Sequence, residues 1–232
     1  MSAPRLHKAS PCQRRIEAEF AGERLVLDAC GALYFPDRDL LVVSDLHLEK
    51  GSFFAARGHP VPCHDTRDTL LRLAGAIERY RPRAVICLGD SFHDVRAGER
   101  MNAADALRLR RLMAAVGDWI WIAGNHDPEI GGRFGGQPIL TYRIGPILFS
   151  HKPEDGAPPL IAGHYHPKYR YRAAERGVSG PCFVLGASMI LMPSFGAYAG
   201  GLNAESEAIA TLFSGQPRQH VLLYGGKLWL LE

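Results

Sequence analysis

Five short segments combine carboxylate, imidazole and amide side chains at close spacing: Asp45-Leu46-His47, Gly89-Asp90 followed by Ser91-Phe92-His93-Asp94, Gly124-Asn125-His126-Asp127, Ser150-His151, and Gly163-His164-Tyr165-His166. Six of the ten histidines fall within them. Oxygen and neutral imidazole ligands with no thiolate favour Mn2+, Fe or Zn2+ over copper(I) or an iron–sulfur cluster. In extended chain, residues two apart point the same way, so Asp45 with His47, and His164 with His166, can each offer two ligands to one site. With Asp45 and Asp90 at one negative charge each and a bridging hydroxide at one more, a two-metal centre keeps about one positive charge and attracts an anion. The chemistry this suits is in-line attack of hydroxide on phosphorus, with the metals clamping the phosphate oxygens. A phosphodiester has a basic alkoxide leaving group, so a general acid is useful. His126 is the expected acid, oriented by Asp127 or Asp94, and His93 is the second candidate, as acid or as a donor that positions phosphate.

Each segment follows an apolar run, and those runs define the elements that must position it. Residues 24–28 (RLVLD) and 39–44 (DLLVVS) read as buried strands, the second ending at Asp45. Leu70, Leu71, Leu73, Ala74 and Ile77 recur at helical spacing between Asp65 and Tyr80, and Pro82 stops the helix. AVICLGD is another strand ending in an acid, followed by a helix over 103–116 and a strand from Trp119 that leads to Asn125. Strands alternating with helices, with chemistry at each strand's carboxyl end, predict an α/β layered fold. Beyond Gly136 the runs PILTYRIGPILFS, PPLIAGHYHP, KYRYRAA, PCFVLGASMILMP and HVLLYGGKLWLLE predict a second half that is mostly sheet. Glycines cluster in two loop-like stretches, 128–137 and 195–204.

The chain has 232 residues, 47% hydrophobic and 22% charged, enough for a large core, and it is read as one domain over 1–232. No run of eighteen apolar residues exists, and the first twenty residues carry Arg5, Lys8, Arg14 and Arg15 without a signal-peptide core, so a cytoplasmic protein with no membrane contact is expected. Five cysteines, at 12, 30, 63, 87 and 182, form no CxxC pair and are expected to be reduced thiols. The net charge of +3 is too small to coat a polyanion by charge alone, so any such partner needs a local site. Lys168, Arg170 and Arg172 alternate with Tyr169 and Tyr171 directly after the last histidine pair. On a strand the three cations share one face, either for binding a nucleic-acid substrate or as a solvated edge with tyrosines packed beneath. The clusters Arg79, Arg81, Arg83 and Arg108, Arg110, Arg111 read as helix-surface charge. Lys50, Phe53, Phe54 and Arg57 could border the groove.

Taken in order, the five segments resemble the D-x-H, G-D, G-N-H-D/E, H and G-H-x-H pattern of the calcineurin-like metallophosphoesterases. The resemblance implies a four-layer α/β/β/α sandwich of two mixed sheets with a dinuclear centre at the sheet edges. By match to the pattern, Asp45, His47 and His166 would hold one metal, Asn125, His151 and His164 the other, and Asp90 would bridge. Ser150 stands where many members have glycine. A narrower resemblance runs through DLHLEKGSFFAARGHPVPCHDT, GDSFHD, SHKP, GHYHP and PSFGAYAGGLN, which together are similar to the bacterial ligase-associated DNA damage response endonucleases. That family implies a Mn2+-dependent phosphodiesterase that cleaves DNA in repair, with a DNA ligase and a helicase as partners. Two other readings stand beside it. One is a small-molecule or nucleotide phosphodiesterase or phosphatase on the same two-metal site; the other is an inactive scaffold for a helicase and ligase, which has no physical need of seven ligands.

Overall fold

The computed structural model describes residues 5–6, 13–59, 61–128, 134–136, 138–153, 159–173 and 176–231. The first sheet has seven strands in chain order: β1 (Arg5–Leu6), β2 (Arg15–Phe20), β3 (Glu23–Asp28), β4 (Leu33–Phe35), β5 (Leu40–Val43), β6 (Ala84–Leu88) and β7 (Asp118–Ile122). Strands β1 to β5 pair antiparallel, whereas β5, β6 and β7 run parallel, with Val43 opposite Cys87 and Leu88 opposite Ile122. The second sheet holds β8 (Thr141–Ile144), β9 (Ile147–Ser150), β10 (Leu160–Ala162), β11 (Lys168–Ala173), β12 (Arg176–Gly186), β13 (Met189–Leu191), β14 (Arg218–Tyr224) and β15 (Lys227–Leu231). Here β9, β10 and β13 are the parallel strands, and β11 pairs only with the first half of β12.

Strand alternation sorts side chains into layers. Leu40, Val42, Ile86 and Leu88 of the first sheet meet Phe149, Ile161, Phe183 and Leu185 of the second in the inter-sheet core. Their neighbours Leu41, Val43, Val85 and Cys87 face outward and are covered by α2 (Asp65–Tyr80) and α4 (Ala103–Ala114) through Leu70, Leu73, Ala76 and Leu109. On the far side, Leu160, Ala162, Cys182 and Val184 pack under Ile209 of α5 (Glu207–Leu212) and the adjacent Phe213. The expected four-layer arrangement of two mixed sheets with helices is therefore present. Two short helices, α1 (Lys50–Ala55) and α3 (Ala97–Arg100), fill the connections near the first sheet's end.

Particular expectations fare differently. The helix over 65–80 has the bounds read from its periodicity, and it ends on Arg81 in the left-handed conformation just before Pro82. Leu71, however, is 48% exposed, because the buried stripe runs through Leu70, Leu73 and Ile77. The second half is mostly sheet yet contains α5. The glycine-rich stretch 128–137 lies largely outside the described residues. Among the described cysteines, Cys30, Cys63, Cys87 and Cys182 are all free thiols, and burial pushes Cys30 up to about 12, so it is not a nucleophile near neutral pH. No helix is long and apolar enough to cross a membrane.

Candidate metal centre

The parallel strands of both sheets deliver their carboxyl ends to one edge of the sandwich. Asp45 and His47 follow β5, Asp90 follows β6, and Asn125 and His126 follow β7; His151 follows β9, and His164 and His166 follow β10. The chain after β5 keeps pairing with the chain after β6: Asp45 N donates to Gly89 O, His47 N to Asp90 O and Leu48 N to Ser91 O. It does so through a distorted backbone. Asp45, His47, Asp90, His164 and His166 all have positive φ, between 44° and 70°, where non-glycine residues are disfavoured and are held only by their surroundings. The extended geometry expected for the D-x-H and H-x-H pairs is thus replaced by left-handed turns.

Two groups of donor atoms result, Asp45 with His47 and His166, and Asp90 with His151 and His164, each within 4.8 Å of one another. Asp45 and His47 join one group as expected, whereas His164 and His166 divide between the two. In the first group His47 Nε2 and His166 Nε2 are 3.2 Å apart, and Asp45 Oδ1 lies 3.1 Å from His166 Nε2. In the second, His151 Nε2 lies 3.2 Å from His164 Nδ1, 3.1 Å from Asn125 Oδ1 and 3.4 Å from Asp90 Oδ2. Two ligands bound to one ion at about 2.1 Å with angles of about 90 to 109° are about 3.0 to 3.4 Å apart, so both sets have the edge lengths of a coordination shell.

The surroundings fix these atoms. Asp45 is fully buried; its Oδ2 accepts from Ser44 Oγ at 2.5 Å and His164 N at 3.1 Å, while Oδ1 is left without a hydrogen bond and aimed into the first group. An orphaned carboxylate oxygen facing two imidazole nitrogens is a place for a cation. Burial opposes the ionisation of Asp45, but contact with His166 and the charges of His166, His151 and His47 outweigh it and hold the carboxyl below its ordinary value. His151 Nδ1 meets the Leu88 carbonyl at 3.1 Å; a carbonyl only accepts, so that nitrogen carries the proton and Nε2 faces the site, the tautomer a metal ligand needs. Burial disfavours a charged His151, yet Asp90 and Asp45 hold it above its ordinary value, and the same two carboxylates would favour a bound cation. His47 is pushed down to about 3 by burial and stays neutral. Gly163 packs against Asp45: a Cβ there would overlap Ser44 Oγ and come within 2.5 Å of Asp45 Oδ2. Gly89, with φ of +75°, passes so close to His151 that a Cβ would overlap its ring.

His126 stands at the mouth with its side chain 41% exposed and Nε2 4.0 Å from Asp90 Oδ2. Its orienting partner is neither expected carboxylate. His126 Nδ1 meets the His93 carbonyl at 2.9 Å, whereas Asp94 takes a bidentate pair from Arg100, and buried Asp127 accepts from Phe92 N and Gly124 N. Burial pushes Asp127 up to about 7; its role is to tie two ligand loops together. His93 stacks on His126 with centroids 5.1 Å apart and is walled in by Phe53 of α1 at 4.5 Å, which Arg57 caps at 3.5 Å. Burial, then the charges of Lys50 and His126, push His93 down to about 4.

Of the alternating cations, Lys168 donates from Nζ to Ala199 O at 3.0 Å and Arg170 is exposed on the same face of β11; the side chain of Arg172 lies outside the described residues. Tyr169 packs on the outer core beside His220, while Tyr171 is 45% exposed. The stretch 195–204 proves to be a wall of the site. Ser194 Oγ and Gly196 N both donate to Asp45 O, and Arg72 reaches Phe195 O. Ser44 and Ser194 support Asp45 without any spacing in the sequence that marks them.

The described fold is similar to that of the Pseudomonas putida nuclease MPE, at 27% identity over 94% of this chain and 100% of that one, with a TM-score of 0.73. The E. coli phosphoesterase Yfce aligns at 14% identity over 80% of this chain and 88% of its own, with a TM-score of 0.39. No curated protein matches significantly. The sequence profile of the calcineurin-like phosphoesterases matches residues 39–181, a span holding all seven candidate ligands, and the chain belongs to that family.

Proposed function

We propose that the protein is a Mn2+-dependent phosphodiesterase that cleaves DNA as an endonuclease in DNA repair. The observation that carries this reading is the convergence of two sets of oxygen and imidazole donors, spaced as coordination shells, at one sandwich edge. Full-length similarity to a protein named as a nuclease supports the polynucleotide substrate. The narrower sequence resemblance supports a repair role beside a DNA ligase and a helicase. Asp45, His47 and His166 would hold one ion and Asn125, His151 and His164 the other, with Asp90 shared. Bound there, the ions would lower the pKa of water and polarise the phosphate oxygens. Mixed nitrogen and oxygen donors without thiolate suit Mn2+.

The chain's own residues supply the proton. With Nδ1 committed to the His93 carbonyl, Nε2 of His126 is the atom that protonates, and it faces the mouth where a leaving alkoxide would depart. His93, only 7% exposed and stacked beneath His126, positions that ring and offers a second donor to phosphate.

The test is nicking of circular DNA with Mn2+, Mg2+, Zn2+ or chelator, run beside Asp90→Ala. Nicking with Mn2+ that disappears in the variant is expected; nicking that survives it would overturn the assignment. Aryl phosphodiester and phosphomonoester substrates run in parallel identify a small-molecule esterase if they alone are hydrolysed.

A further inference from the structure

Three adjoining hollows run from the site end of the sandwich onto the outer face of the first sheet. The first, about 350 Å3, has His166 in its wall with Arg72 and Lys168. The second, about 400 Å3, shares Ala29, Cys30 and Gly226 with the first and adds Arg14, Arg15 and Arg79. The third, about 660 Å3, shares Arg15 and Arg79 with the second and ends at Tyr34 and Tyr80, whose rings stack 4.3 Å apart. Their shared walls make one trough that starts at a metal-ligand candidate. Topology explains its course. β3 is parallel to β5, so Asp28 and Cys30, the start of β2 at Arg15, and the β14–β15 turn at Gly225 and Gly226 emerge at the end where β5 delivers Asp45.

The trough is charged. Among the described residues its walls carry five cations, Lys168, Arg72, Arg14, Arg15 and Arg79, against the carboxylates of Asp28 and Glu17. That surplus of three equals the net +3 of the whole chain, so the remaining residues sum to zero and the excess lies along the trough. Hollows of this size each take a nucleotide-sized group, whereas a duplex would ride above them.

We propose that this trough holds one strand of the polynucleotide leading away from the scissile phosphate. Flanking phosphates meet Lys168 and then Arg14 and Arg15, and the tyrosine pair offers a stacking face at the far end. The inference rests on the DNA phosphodiesterase reading and adds the path of its substrate.

The test is the double reversal Arg14→Glu/Arg15→Glu, two exposed positions remote from the donor set. Arg111→Glu/Arg143→Glu, exposed on α4 and on the edge strand β8 and lining none of the three hollows, makes the same charge change as a control. Binding of a labelled single-stranded oligodeoxynucleotide is measured over a salt series in an Asp90→Ala background, which leaves the probe uncut, and aryl phosphodiester turnover is measured in the otherwise wild-type protein. The trough variant should keep aryl turnover, bind the oligonucleotide at least about tenfold more weakly, and lose about 1.4 from the slope of log K against log salt, about 0.7 per phosphate contact. Equal weakening in the control would reduce the effect to net charge and overturn the path, as would unchanged binding in the trough variant. If the wild-type protein turns over the aryl ester but neither binds nor cleaves the oligonucleotide, the DNA reading fails and the path fails with it.

Discussion

Because the His93 carbonyl can only accept, His126 has one nitrogen fixed and one free to exchange a proton at the mouth of the site. Replacing it by Asn should lower phosphodiester turnover by about a hundredfold or more, as expected for loss of an acid, with metal content unchanged; equal turnover in a steady-state assay removes it from that role. A different single residue, Asp28, couples stability to pH. It is 3% exposed and accepts from Cys30 N, Tyr80 Oη and Arg79, at 2.8, 2.7 and 2.7 Å. Burial opposes its charge, but these partners prevail and hold its carboxyl below the ordinary value. A lowered folded-state pKa contributes stability above the unfolded value and loses it as pH falls through the folded one. Asp28→Asn should therefore cost about 1 to 3 kcal/mol at neutral pH in denaturant melts, a gap that closes only in acid below the usual carboxylate range. A gap independent of pH would mean that packing, not charge, is what Asp28 supplies.

At the scale of elements, the site depends on loops held in unfavourable backbone conformations by close packing of their neighbours. Gly163 is the clearest case, since any side chain there displaces Ser44 or the Asp45 carboxylate. Gly163→Ala should retain the fold while weakening metal binding by about ten- to a hundredfold, the usual cost of disturbing a ligand's support; calorimetric titration with Mn2+ checks it, and undiminished affinity would show that the loop can yield. The elements themselves were unevenly legible. α2 and the strands before Asp45 and Asp90 followed from periodicity and from apolar runs that stop at an acid. β2 was not read from the sequence, although RIEAEF alternates exposed and buried without a break and the turn at Ala21–Gly22 returns it as a hairpin. α1 and α5 have six residues each, too few for a helical period to emerge. Neither the left-handed backbone at five donor residues nor the carbonyl that orients His126 is written in side-chain chemistry, because both arise from contacts between distant loops. The 195–204 wall was likewise invisible, since its Gly196 N reaches Asp45 O across about 150 positions.

At the scale of the whole molecule, the candidate metal ligands follow strands of both sheets, with Asp45, His47, Asp90 and Asn125 from the first and His151, His164 and His166 from the second. The two sheets already share one apolar layer, in which Leu40, Val42 and Ile86 meet Phe149, Ile161 and Phe183. Separating the halves would therefore expose a common core and break both donor groups at once, so we expect one unfolding transition. Ions bound only by the folded arrangement stabilise it by mass action, about 2.7 kcal/mol per site at a hundred times the dissociation constant. For a chain of this length each kcal/mol raises Tm by about 2 to 4 °C, so one occupied site should give about 5 to 10 °C. A calorimetric scan with and without Mn2+ should show a single peak displaced upward by at least that much, and the displacement should shrink in Asp90→Ala, which removes a donor close to His151. Two separated peaks, only one of them shifted by metal, would mean that the halves unfold independently and that the centre belongs to one sheet alone. The scan thus weighs the shared apolar layer and the cross-sheet donors against each other, because the first sets the number of peaks and the second sets how far metal moves them.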